Sequence, residues 1–114
     1  MSLNAKQALF TECIGRLLRY AFANGLPVII AEAYRTPEQA EIYARQGKGI
    51  KNSVHRKKLA VDLFRFKNGT ISWDKKDYED LGRYWKSLNP DARWGGDFKN
   101  RDAVHFSFEH NGVR

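Results

Sequence analysis

Apolar side chains at Phe10, Cys13, Ile14, Leu17, Leu18 and Ala21 recur every three or four residues, the repeat of one helical face. The spacing predicts a first helix from about Ser2 to Ala23, closed by Asn24-Gly25 as its C-terminal cap. Cys13 lies on the apolar stripe, so burial rather than reactivity is expected of it. Leu26–Ala33, rich in Val and Ile, reads as a buried strand. A second helix starts at Thr36-Pro37-Glu38-Gln39, where Thr36 caps, Pro37 suits the first turn and Gln39 completes a capping box; it ends near Gly47. Lys48–His55 reads as a loop and Leu59–Lys67 as a second strand, which Asn68-Gly69 turns tightly into Thr70–Trp73. Tyr78, Leu81, Trp85 and Leu88 mark one face of a third helix, stopped by Asn89-Pro90. A loop holding Trp94-Gly95-Gly96 leads to a last strand, Val104–Phe108. Val104, Phe106 and Phe108 fall on one face of it, His105 and Ser107 on the other. With neither repeat nor linker, the chain reads as a single α+β domain.

Composition narrows the function more than the fold. A chain of 114 residues has room for one core, and 42% hydrophobic residues exclude disorder or a collagen-like fibre. The single cysteine excludes an internal disulfide framework. Ala31-Glu32-Ala33 after Leu26–Ile30 looks like a cleavage site, but Arg16, Arg19 and Asn24-Gly25 interrupt the apolar run a signal peptide needs. No stretch approaches the roughly 20 apolar residues of a transmembrane helix. The net charge of +7 favours an anionic partner: nucleic acid, an anionic envelope or an acidic wall polymer. Arg45, Lys48, Lys51, Arg56, Lys57 and Lys58 crowd one loop around His55, either as a basic rim or as an ordinary solvated loop. Nucleic acid is disfavoured, because no zinc-finger cysteine pairs, recognition helix or RNA-binding aromatic signature is present.

Three residues suggest chemistry. Asp62 lies in an apolar run, where a carboxylate carries a heavy desolvation cost unless paired or bound to a cation. His105 stands between Val104 and Phe106, and His55 lies where the loop joins the second strand. Two imidazoles and one carboxylate are a common set for catalytic zinc, with a fourth position left for water. Such a site needs a base, and Asp102, three residues before His105, is the nearest candidate. Each residue also has an ordinary structural use: the histidines in packing, Asp62 in an ion pair, Asp102 in capping a turn.

Four blocks make the reading specific. Ser53-Val54-His55 followed by Leu59-Ala60-Val61-Asp62 resembles the S-x-H-x6-D signature of the zinc D-Ala-D-Ala carboxypeptidase family, which includes the L-alanyl-D-glutamate endopeptidases of phage endolysins. Trp94-Gly95-Gly96-Asp97-Phe98 and Asp102-Ala103-Val104-His105-Phe106 resemble the W-G-G-D-[WF] and D-x-x-H-F segments of the endopeptidase branch, and Tyr34-Arg35-Thr36 with Gln39 resembles Y-R-[ST]-x-x-x-Q. The resemblance spans residues 34–106 and implies a hedgehog/DD-peptidase-like fold, a small antiparallel sheet with helices on one side. It implies one zinc ion held by His55, Asp62 and His105, Asp102 as general base, and Arg35 as oxyanion stabiliser. Arg35 can otherwise pair with Glu32 or Glu38. Ser53 would meet the substrate or orient its loop, Trp94 would line the peptide groove or fill the core, and Gln39 would join the substrate-binding set. Lys58 departs from the pattern: many relatives carry glycine there, which puts the local turn in question.

The implied activity is hydrolysis of peptidoglycan stems, foremost between L-alanine and D-glutamate, by a monomeric phage or prophage endolysin. Such an enzyme accumulates in the host cytoplasm without a signal peptide, reaches the wall through a separate pore and does not insert in the membrane. The alternatives are a D-Ala-D-Ala carboxypeptidase or dipeptidase, and a catalytically silent wall-binding module stabilised by zinc.

Overall fold

A computed structural model describes residues 1–114. Helix α1 spans Leu3–Ala23; the Ser2 hydroxyl accepts a hydrogen bond from Ala5 N at 3.1 Å, and Gly25 at φ 67° ends it. Helix α2 spans Pro37–Arg45, with Thr36 Oγ1 accepting from Gln39 N at 3.1 Å. Helix α3 spans Glu79–Leu88 after a 3-10 turn at Lys75–Tyr78. Five strands, β1 (Val28–Ile30), β2 (Ala60–Lys67), β3 (Thr70–Ser72), β4 (Ala92–Trp94) and β5 (His105–Phe108), form one antiparallel sheet in the order β1-β2-β5-β4, with β3 beside the far end of β2. The α+β class holds. No helix is long and apolar enough to cross a membrane.

Register separates the two faces of the sheet. Phe106 lies opposite both Val61 and Trp94, and Phe108 opposite Ala92, so these side chains share a face. Helices α1 and α3 cover it: Phe10 meets Trp85 and Phe108 edge-on at 5.6 and 5.2 Å, and Trp85 stacks on Phe108 at 5.6 Å. Each large side chain fully buried here stabilises the fold by roughly 1.5–3 kcal/mol. Asp62 lies opposite His105, and Ala60 opposite Ser107, on the other face.

Two elements differ from expectation. Residues 26–33 do not form a buried strand. β1 is a three-residue edge strand with Ile29 and Ile30 45% and 59% exposed, because an unbroken apolar run does not say which flank is covered. Ala92–Trp94, expected as loop, is edge strand β4, too short to show an alternation. The Asn68-Gly69 hairpin forms as expected, with φ of 53° and 78°, the left-handed pair of a type I′ turn.

Candidate metal centre and active site

The segment before α2 ties the site together. Asp62 N donates to Glu32 O at 2.7 Å and Ala31 N to Asp62 O at 2.9 Å, while Arg35 N donates to His55 O at 3.1 Å. Residues 31–35 therefore bridge the strand that carries Asp62 and the 3-10 turn Val54–Lys57 that carries His55. Ser53 is buried, and its hydroxyl accepts from His55 N at 3.2 Å, capping that turn. Ser53 thus orients the His55 loop and also lines the cavity. Lys58 ends the turn at φ 55°, ψ 40°. The glycine-preferring position is left-handed here, occupied by a lysine whose ammonium lies 5.3 Å from the Tyr34 ring centroid.

The Trp94-Gly95-Gly96 segment positions the other half. Gly95 O accepts from Asp102 N at 2.9 Å and from Phe98 N at 3.1 Å, and Asp102 O accepts from His105 N at 3.0 Å. A Cβ at Gly95 would strike the Asp102 carbonyl and stand 2.8 Å from His105 Cβ, so only glycine admits this approach. Trp94 is not part of the cavity wall. It is buried, its ring lies against Gly82 and Gly96, and its Nε1 donates to Ala103 O at 2.8 Å. An indole of this size is worth more in the core, where its N–H has a carbonyl to meet. Gln39 is also absent from the cavity wall; its backbone N–H serves the α2 cap.

The sheet register brings Asp62 and His105 together, and the 3-10 turn adds His55. Asp62 Oδ1 lies 3.5 Å from both His55 Nε2 and His105 Nδ1, and one ligand atom from each residue falls within 4.8 Å of the others. His55 Nδ1 lies 3.0 Å from Ala33 O, so a proton on Nδ1 leaves Nε2 as the lone-pair donor facing Asp62. Asp62 Oδ1 is buried without a hydrogen-bond partner, an uncommon and costly state for a polar atom. Tetrahedral ligands about 2.0–2.1 Å from zinc stand roughly 3.3–3.4 Å apart. The donor set fits zinc, and the two 3.5 Å separations from Asp62 stand close to that spacing.

Burial alone would raise the Asp62 carboxyl, but the two imidazoles hold it down to about 2. Burial lowers His55, and the Asp62 carboxylate with the Ala33 carbonyl outweighs it, leaving the imidazole above its ordinary value. Asp102, exposed at the cavity mouth, is raised by partial desolvation and by the Asp62 charge, with His105, His55 and Arg35 pulling the other way. All these residues line one open cavity of about 250 Å³, together with Lys48, Phe98 and Arg114. An apolar groove of about 330 Å³ beside α1, lined by Phe10, Ile14, Ile30 and Tyr34, is larger but lies apart from this chemistry.

Arg35 reaches the cavity already paired. Its Nε and Nη2 both donate to Glu32 Oε1, the former at 2.8 Å, and its guanidinium lies over Tyr43 at 5.0 Å. Glu32 Oε1 is also 3.7 Å from His55 Nδ1. The sequence marked Glu32 only as a partner for Arg35, and nothing in its spacing shows that it touches the ligand shell as well.

A family model described as D-alanyl-D-alanine carboxypeptidase matches residues 46–108, more than half of the chain. The chain belongs to this family of zinc peptidases that act on peptidoglycan. In fold it is similar to the L-Ala D-Glu endopeptidase ChiX of Serratia marcescens (TM-score 0.73, 24% identity, covering 88% of this chain and 77% of that one). It is also similar to the vancomycin-resistance D,D-pentapeptidase VanY, solved as a mutant in complex with Zn(II) (TM-score 0.61, 19% identity, 87% and 70% covered). These are hedgehog-like DD-peptidase folds. No curated protein matches the chain.

Proposed function

We propose that the chain is a zinc-dependent endopeptidase of peptidoglycan stems, cleaving between L-alanine and D-glutamate, and that it serves as a phage or prophage endolysin. The observation that carries the reading is the convergence of His55, Asp62 and His105 with Asp102 in one cavity. The choice of bond rests on the Trp94–Phe98 and Asp102–Phe106 segments and draws support from the likeness to an enzyme named for that bond. The endolysin role, with release from the host cytoplasm to the wall, rests on the same motifs alone.

His55 Nε2, Asp62 Oδ1 and His105 Nδ1 are the proposed ligands. Zinc bound there supplies Lewis acidity that activates water and polarises a carbonyl. Asp102 takes a proton from the attacking water on its carboxylate and returns it to the departing amine nitrogen. Its place beside the Asp62 charge favours this, since a carboxylate raised from its ordinary value holds a proton longer. Arg35 donates N–H groups to the developing oxyanion; because Glu32 offsets its charge, its contribution is smaller than that of an unpaired guanidinium.

The test is digestion of purified peptidoglycan by wild-type protein and Asp102→Ala, with released ends read by mass spectrometry. New N-terminal D-glutamate from the wild type, lost on chelation and restored by Zn²⁺, is expected, with none from Asp102→Ala although it still binds zinc. Free D-alanine would move the chain to the carboxypeptidase activity for which its family is described. No release from several wall chemistries, with wall affinity retained, would leave a binding module.

A further inference from the structure

The cations on the cavity wall are not equivalent. Glu32 neutralises Arg35, whereas Arg114 and Lys48 line the same cavity and stand in no ion pair. Arg114 is also held in place. After β5 the chain makes a second two-residue hairpin turn, Asn111 at φ 50° and Gly112 at φ 79°. His110 N donates to Val113 O at 2.8 Å, and Val113 N to His110 O at 2.9 Å. Val113 then packs against the hydrophobic core, so the residue after it leaves a fixed point. The Arg114 guanidinium lies over the Phe98 ring at 4.7 Å, and Phe98 in turn stands 5.5 Å from the His105 ring. A planar cation stacked on an aromatic face keeps its edge N–H groups free for an anion.

The geometry points to Arg114, assisted by Lys48, as the subsite for a free carboxylate on the substrate residue next to the scissile bond. A cavity of about 250 Å³ has room for little more than the residues flanking that bond. A carboxylate matches the guanidinium fork in a way a carboxamide does not, because a bidentate pair needs two acceptor oxygens. The inference rests on the proposed stem-peptide activity: D-glutamate linked through its side chain leaves its α-carboxylate beside the bond to L-alanine. Specificity between walls with free and amidated D-glutamate would then reside in a residue outside the four motif blocks.

The experiment compares a stem peptide bearing that free α-carboxylate with the same peptide carrying a carboxamide there. Wild type, Arg114→Ala and Arg114→Lys are assayed, and binding of both peptides to each protein in zinc-loaded Asp102→Ala form is measured by calorimetry. Wild type should prefer the carboxylate about tenfold to a hundredfold, mostly in KM. Arg114→Ala should lose that preference while processing the carboxamide peptide at the wild-type rate, and Arg114→Lys should restore part of it. Equal loss on both peptides, an intact preference in Arg114→Ala, or no carboxylate preference in wild-type binding would overturn the assignment. Should the wild type cleave neither peptide, the proposed activity fails, and the calorimetry still decides the subsite.

Discussion

The two faces of the sheet treat buried polar groups in opposite ways. On the helix-covered face every such group has found a partner. Trp85 Nε1 lies within 3.0 and 3.1 Å of the carbonyls of Arg93 and Ser107. Tyr78 OH donates to Ser72 O at 2.7 Å and accepts from Arg65 N at 3.0 Å, and the buried Arg65 guanidinium donates to the carbonyls of Asp77, Pro27 and Phe66. On the opposite face Asp62 Oδ1, His105 Nε2 and Ser107 Oγ are buried without any. A fold able to satisfy an arginine in its interior leaves a carboxylate oxygen between two imidazoles unpaired only where something else completes it. The helix-covered face holds the chain together, and the other holds three ligand atoms at metal spacing.

That contrast is sharpest if broken at its ligands. His105→Ala or Asp62→Ala should abolish stoichiometric zinc and lower stem-peptide hydrolysis roughly a thousandfold or more, the several kcal/mol that metal catalysis supplies. Metal analysis and turnover on one preparation check this. Zinc retained in both variants would place the metal elsewhere.

Paired glycine substitutions separate packing from site geometry. Gly82→Ala and Gly95→Ala both force a methyl group into occupied space, against the Trp94 ring in the first case and against Asp102 and His105 in the second. Each should cost about 1–3 kcal/mol of stability, read from chemical denaturation. Only Gly95→Ala should also weaken zinc binding. Equal effects on zinc would mean the two faces are not separable.

Hydrogen-bond satisfaction and backbone strain give smaller effects. Tyr78→Phe strips partners from the Arg65 amide and the Ser72 carbonyl and should cost about 1–3 kcal/mol without touching metal affinity. Lys58→Gly should stabilise the zinc-free chain by up to about 1 kcal/mol, because lysine at φ 55° bears a steric cost that glycine does not.

Acidity acts on the site itself. In the zinc-free chain His55 is held above its ordinary 6.5, so protons compete with the ion already above pH 6.5, and affinity should fall as pH drops and recover as it rises. Asp62, at about 2, remains ionised throughout that range. A pH-independent zinc affinity between pH 8 and 5 would contradict imidazole ligation.

Much of this was readable before any coordinates, and the misses have physical causes. Helical spacing located the first and third helices and a capping box the second, while an apolar run placed Asp62 on a strand and alternation placed His105 on another. What periodicity cannot show is register, and it is register that sets Asp62 directly opposite His105. Trp94 was ambiguous because an indole suits a groove and a core equally well; the two glycines that seat it decide for the core. Asn111-Gly112 carries the same turn signal as Asn68-Gly69. Without an apolar run on its far side that signal does not mark a hairpin, so the sequence does not place Arg114. Glu32 owes its position to hydrogen bonds between residues 31–35 and two distant elements, which no local pattern encodes.

X-ray absorption at the zinc edge of the loaded, purified chain tests the central claim most directly. The account predicts one zinc per chain, with two imidazole nitrogens and a carboxylate oxygen at about 2.0–2.2 Å. A sulfur shell near 2.3 Å, which only Cys13 or Met1 could supply, or no stoichiometric zinc at all, would contradict it.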